Sequence, residues 1–154
     1  MAIGPKPDPS LWAAFEEAGI RSVVDLNDHL DVKLEADRRG LIYRGFKVPV
    51  PTSLEDFLSF FPMVHERIEK ERRKGRTIYL HCTAGVYRTP TFAMAHLISR
   101  GKSPEDAESL VKLAHKATWR EGDPRLTDAD VEVLQRALHL WNRQVRDESK
   151  ETHR

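Results

Sequence analysis

Thr77-Ile78-Tyr79-Leu80-His81-Cys82-Thr83-Ala84-Gly85-Val86-Tyr87-Arg88-Thr89-Pro90 is the stretch on which the reading of this chain turns. Its first six residues form the most strand-like run in the sequence, rich in β-branched and aromatic side chains. Pro90 suits an early helical position, where no N–H is needed, and a helix is expected from Thr91 to Ser99, closed by Gly101. Five residues therefore separate Cys82 from Arg88 between a strand and a helix. A turn of that length can wrap backbone N–H groups around a tetrahedral oxyanion, with the helix N-terminus adding partial positive charge. Gly85 allows a left-handed or close-approach conformation within it.

The side chains of the turn have matching uses. Arg88 offers a planar fork able to hold two phosphoryl oxygens at once, which lysine cannot do. The same positive potential favours the thiolate of Cys82, the nucleophilic form of cysteine. Thr89 puts a hydroxyl just behind the arginine, where it can hydrogen-bond the sulfur and help it leave. Cys82 is the only cysteine, which excludes an internal disulfide and a cysteine-cluster metal site. A buried structural thiol or a reactive one remain as its two readings, and Gly85, Arg88 and Thr89 at their spacings favour the second.

Outward from this segment, strands and helices interleave. Ser10 is a candidate N-cap for a first helix ending near Gly19, after Gly4 to Pro9, which cannot continue a helix or a ladder. Ile20 to Leu26 and Leu41 to Val48 read as strands, with Leu30 to Arg39 a polar helix or loop between them. Ser53 can cap a longer helix whose Phe57, Phe60, Phe61, Val64 and Ile68 recur at helical spacing. Later helices are expected from Ser103 to about His115 and from Thr127 to about Val145. This predicts an α/β fold, a single layer of central, mainly parallel sheet flanked by helices, with a helical C-terminal part. A length of 154 residues fits one domain over 1–154, its core about 5–146 and its end, 147–154, a frayed tail.

With 25 Lys and Arg against 24 Asp and Glu, no overall field points to nucleic acid or an anionic membrane. No apolar run reaches the roughly 20 residues that cross a bilayer, and Met1 to Pro5 lack the features of a secretory signal. A cytoplasmic monomer without nucleic-acid or membrane partners is expected. The cluster Arg67, Lys70, Arg72, Arg73, Lys74 and Arg76 interleaves with Glu66, Glu69 and Glu71, and reads as a solvated helix face. His81 reads as a brace that hydrogen-bonds backbone rather than a metal ligand. Trp12 and Trp141 read as core, which leaves Trp119, beside Lys116 and Arg120, as the one tryptophan that is a candidate for a substrate rim.

At Cys82, Gly85, Arg88 and Thr89 the chain resembles the protein tyrosine phosphatase superfamily, whose signature is Cys, five residues, Arg, then Ser or Thr. Gly19 to Leu26, Val48-Pro49-Val50 and Gly101 to Ala107 resemble corresponding segments of compact dual-specificity phosphatases, so the likeness covers roughly residues 5 to 115. It implies phosphate-monoester hydrolysis through a phosphocysteine on Cys82. Thr83, Ala84, Gly85, Val86, Tyr87 and Arg88 would bind the phosphate, and a phosphorylated protein or small phosphate ester would be the substrate. No metal or organic cofactor is implied.

Two features depart from that family. Its members carry an aspartate general acid just after the segment matching Val48-Pro49-Val50, whereas Pro51-Thr52-Ser53 follows here. Asp56 is the first substitute for that acid, ahead of Asp123, Asp25 and Asp28, and an enzyme without one is the remaining alternative. Tyr87 stands where many relatives have Gly or Ser, and it either walls the pocket or packs beneath it. The competing functions are a phosphate-binding module without turnover and a sulfur-transfer or arsenate-reducing domain. Thr89 and the lack of a second cysteine argue against the latter.

Overall fold

The computed structural model describes residues 1–49, 54–83 and 88–118, with the side chains of 54–58 and 115–118 left undescribed. Four strands, β1 (Ala2–Gly4), β2 (Ile20–Asp25), β3 (Ile42–Gly45) and β4 (Thr77–His81), form one sheet in the order β1-β4-β2-β3. Every pairing is parallel, as crossover connections through helices require. The helices are α1 (Pro9–Glu17), α2 (Leu30–Arg38), α3 (Leu54–Arg73), α4 (Arg88–Ser99) and α5 (Pro104–Thr118). The expected α/β layer with a parallel sheet is present, and its C-terminal helical part is described as far as Thr118.

Side-chain alternation along the strands divides the core. Val24, Ile78 and Leu80 face Phe61, Val64 and Ile68 of α3, Phe92 and Met94 of α4 and Val111 of α5. Val23 and Tyr79, one position along, face Trp12 and Phe15 of α1 and Val32 and Ala36 of α2. Burying a side chain such as Leu80 or Val24 completely contributes roughly 1.5–3 kcal/mol. The inner strands β2 and β4 are covered on both faces, which explains their near-continuous apolar runs. From Thr89 to His96, α4 is buried without interruption, because it lies between the sheet and its neighbouring helices.

Three expectations need correction. The break in pairing falls one residue later than expected, at Pro5 rather than Gly4: Ala2, Ile3 and Gly4 pair with Tyr79, Leu80 and His81. The proline-rich run begins only afterwards, and the Tyr79 hydroxyl donates to the Pro5 carbonyl at 2.7 Å. The cap of α1 is Asp8 rather than Ser10. Its carboxylate accepts from the Leu11 N–H at 2.8 Å and from the Ser10 hydroxyl at 2.7 Å, leaving Pro9 at the helix start. The charged face of α3 is not wholly solvated, since Glu71 is completely buried, with Arg67 at 2.9 Å and Arg76 at 2.7 Å. The segment from Leu30 to Arg38, left open between helix and loop, is helical. The proposed cap Ser53, the helix from Thr127 and the tryptophans at 119 and 141 lie outside the described residues.

Candidate active site

Cys82 follows the last residue of β4 and Arg88 opens α4, so both stand at the carboxyl end of the parallel strands. In open α/β sheets ligands bind at this edge, because strands end there and helix N-termini point towards it. Cys82 is buried. The Arg88 side chain is tethered by a hydrogen bond from Nη1 to the Val48 carbonyl at 3.0 Å. Among the described residues that bond engages one of the five donors of the guanidinium fork. Thr89 Oγ1 is buried without a hydrogen-bond partner among the described residues. A buried hydroxyl carries a desolvation cost when unpaired, so a group arriving at this edge would find a ready donor.

The exits of three strands hold the start of the turn. The Leu26 N–H donates to the His81 carbonyl at 2.8 Å, the Phe46 N–H to the Asp25 carbonyl at 2.8 Å, and the Val48 N–H to the Leu26 carbonyl at 2.9 Å. From the β1 side, the Lys6 N–H donates to the Thr83 carbonyl at 2.9 Å. Thr83 is thereby fixed immediately after Cys82. His81 is wholly buried and its Nδ1 contacts the Cys82 carbonyl at 2.8 Å, which makes Nδ1 the protonated nitrogen, because a carbonyl only accepts. Burial lowers the pKa of His81, with the Asp25 charge opposing, so the ring is a neutral brace.

Behind these residues lies a network the sequence did not disclose. Asp25 is wholly buried at the end of β2. Its carboxylate accepts from the Asn27 N–H (2.9 Å), the His29 N–H (2.7 Å), His29 Nδ1 (2.9 Å) and the Tyr43 hydroxyl (2.9 Å). The chain turns tightly enough to do this through Asp28, the only non-glycine residue with positive φ (52°) among those described. Asp28 in turn approaches the Tyr43 hydroxyl at 3.2 Å. A Cβ on Gly45 would overlap the Asp28 carboxylate, which would have to leave its place beside the Tyr43 hydroxyl. With Nδ1 committed to Asp25, His29 directs Nε2 to the Thr83 hydroxyl at 3.2 Å. An Asp25–His29–Thr83 chain therefore ends on the residue next to Cys82.

Of the residues singled out beforehand, the structure gathers Cys82, Thr83, Arg88 and Thr89 at one edge of the sheet. Asp56 falls in the first turn of α3, but its side chain lies outside the described residues, as do Ala84, Gly85, Val86, Tyr87 and Asp123. His29, Tyr43 and Lys6 were missed. His29 and Thr83 are 54 positions apart, and no spacing rule links them. Beside this network, Asp28, Leu30, Lys33, Tyr43, Arg44, Gly45 and Lys47 line an open depression of about 430 Å³, with three cations on its wall.

Residues 3–119 match the family described as the catalytic domain of dual specificity phosphatases. The chain belongs to this family. Among curated relatives, the tyrosine-protein phosphatase vhp-1 of Caenorhabditis elegans is 40% identical over 68 residues, 43% of this chain and 10% of that protein. Dual specificity protein phosphatase 6 of Homo sapiens is 26% identical over 115 residues, 73% of this chain and 29% of that protein. The chain thus spans less than a third of the length of these relatives. Among solved structures, Tk-PTP in its active form superposes with a TM-score of 0.61 at 23% identity, covering 89% of this chain and 90% of that one. This last likeness concerns the fold.

Proposed function

We propose that this dual specificity phosphatase domain hydrolyses phosphate monoesters, phosphotyrosine and also phosphoserine or phosphothreonine, with Cys82 as nucleophile. The observation that carries the reading is the pairing of a buried cysteine at the end of β4 with a tethered arginine at the start of α4. The Cys82 thiolate attacks phosphorus, the ester P–O bond breaks, and the departing oxygen takes a proton from a carboxylic acid, for which Asp56 is the first candidate. Water then attacks the phosphocysteine, the sulfur leaves with help from the Thr89 hydroxyl, and inorganic phosphate is released. The backbone of residues 83–88 and the Arg88 fork hold the phosphoryl oxygens throughout, stabilising charge as it develops. No metal enters these steps.

Asp25 suits a different task. Its carboxylate already accepts four hydrogen bonds and faces no solvent, so it holds the loop rather than delivering a proton. The substrate is read as a phosphorylated protein or a small phosphate ester, and the protein as a cytoplasmic monomer with one domain over 1–154. Among the described residues no helix is long and apolar enough to cross a membrane.

Hydrolysis of p-nitrophenyl phosphate across pH tests the reading, because an aryl leaving group needs little acid assistance. Cys82→Ser should lower kcat by at least about 10⁴-fold, and Arg88→Ala by about 10²- to 10³-fold. Asp56→Asn should remove the high-pH limb of the profile if Asp56 is the acid. The second reading, a binding module without turnover, rests on Pro51-Thr52-Ser53 standing where relatives carry the acid. Vanadate binding by a wild type that releases no phosphate would favour it.

A further inference from the structure

Away from the active edge, the seam between α3 and α4 holds a polar cluster for which the phosphatase reading has no use. His65 and Glu69 stand four residues apart on α3, one helical turn, and therefore project from the same face. His96 projects from α4 to meet them. The Nδ1 atoms of His65 and His96 are 3.2 Å apart; the other ring nitrogen of His96, Nε2, which cannot bind the same ion as Nδ1, lies 3.8 Å from a Glu69 oxygen. One ligand atom from each of the three residues lies within 4.8 Å of the other two. His96 is buried and His65 and Glu69 are half-buried.

We propose that His65, Glu69 and His96 form a binding site for one divalent transition-metal ion, zinc above all, that clasps α3 to α4. Zinc takes imidazole nitrogen and carboxylate oxygen at about 2.0–2.2 Å in tetrahedral array, which sets neighbouring ligand atoms roughly 3.3 Å apart. The 3.2 Å between the two imidazole nitrogens already has that bite. Two imidazoles and one carboxylate suit zinc better than magnesium or calcium, which prefer all-oxygen sites.

Glu69 also accepts from Arg100 Nη1 at 2.9 and 3.1 Å. Ligating carboxylates are commonly held in this way by an outer partner; Arg100 is partly exposed, and Arg72 Nη2 also approaches the Glu69 carboxylate, at 3.5 Å. The ion would be structural, since the cluster joins the bodies of α3 and α4 rather than the turn that opens at Cys82. This departs from the sequence-based expectation that no metal is bound.

The full chain carrying Cys82→Ser, which removes the cysteine sulfur as a competing ligand, would be titrated with zinc by calorimetry and with cobalt(II) by visible absorption. The expected result is one ion per chain at micromolar affinity or tighter, with a tetrahedral cobalt spectrum. Affinity should fall at least about 10-fold in both His65→Gln and Glu69→Gln. Glu69 is half-buried on a helix face, so its variant keeps the test informative should a histidine variant fail to fold. A second grouping, Asp25, His29 and His81, could also attract a cation, and His29→Gln serves as its control. Three results would each overturn the proposal: zinc affinity unchanged in His65→Gln and Glu69→Gln, loss only in His29→Gln, or no binding at about 1 mM zinc, far beyond what a structural zinc site requires. None of these outcomes bears on hydrolysis of phosphate esters, which is measured separately.

Discussion

Asp25 and Glu71 are both completely buried, yet they stand at opposite ends of the sheet with opposite kinds of partner. Asp25 closes β2 at the edge where Cys82 lies, and its acceptors are filled by two backbone N–H groups, an imidazole and a phenol. Glu71 lies near the end of α3, before β4 begins, and is met by two guanidiniums. A buried carboxylate costs several kcal/mol in lost hydration wherever it sits. What differs is what the compensation organises. Backbone donors tie Asp25 to the path of the chain from 26 to 29, and through His29 to Thr83. Side-chain cations tie Glu71 to the packing of one helix end. Disturbing the first should reach the chemistry, and disturbing the second should stop at stability.

The largest effect should come from Asp25→Asn. An asparagine has one carbonyl oxygen where the carboxylate has two, and its amide would point N–H groups at donors. The expected loss is about 3 kcal/mol of stability, read by urea denaturation. A fall of about 10- to 100-fold in kcat/KM should accompany it, because the turn that positions Thr83 would relax. Retained kcat/KM in a folded Asp25→Asn protein would break the comparison, since the carboxylate would then be no more than a structural group.

Glu71→Gln comes next. Removing one partner from a buried ion pair can cost 3–5 kcal/mol, but Arg67 and Arg76 are partly exposed, which reduces the expectation to about 2 kcal/mol. Activity per folded molecule should not change. Burial works against the Glu71 charge, but the Arg76 hydrogen bond and the Arg67 charge outweigh it and hold its carboxyl below the usual range. The folded pKa is then lower than the unfolded one, so the unfolded chain binds more protons between the two. The stability due to Glu71 is therefore complete above about pH 4.3 and is lost as pH falls through the folded value. Urea titrations at pH 7 and between pH 4 and 3 should show a shallower acid loss in Glu71→Gln than in the wild type.

How far these arrangements could be foreseen depends on the range of the interactions behind them. Of the stripe Phe57, Phe60, Phe61, Val64 and Ile68, the last three are buried and Phe60 partly so, while the side chain of Phe57 lies outside those described; periodicity along one helix is a local property. Cys82 at the end of β4 and Arg88 at the start of α4 were legible for the same reason: a strand-like run and a proline bracket a turn of fixed length. Three-residue β1 was not, since Ala2-Ile3-Gly4 has no pattern of its own and becomes a strand only by pairing with β4. Glu71 read as solvated because charge counting on a helix cannot tell which turn dives under Arg76. Asp25 offered itself as a spare acid, and only the fold brings His29 and Tyr43 to it.

The smallest effect sharpens the contrast most, because it removes one hydrogen bond and almost no volume. Tyr43 is buried, and its hydroxyl lies 2.9 Å from Asp25, 3.2 Å from Asp28 and 3.3 Å from the His29 carbonyl. Burial, and then the Asp25 charge, push its pKa well above the ordinary phenol value, so it stays a donor across the working range. One proton can serve only one acceptor well, and Asp25 is the nearest. Tyr43→Phe should thus cost about 1 kcal/mol and lower kcat/KM no more than about threefold, since three donors still hold the carboxylate. Urea denaturation and p-nitrophenyl phosphate kinetics on the same preparation decide it. A loss as large as that of Asp25→Asn would make the phenol, rather than the backbone N–H groups, the partner that fixes the turn, and the distinction between the two buried carboxylates would have to be redrawn around side chains alone.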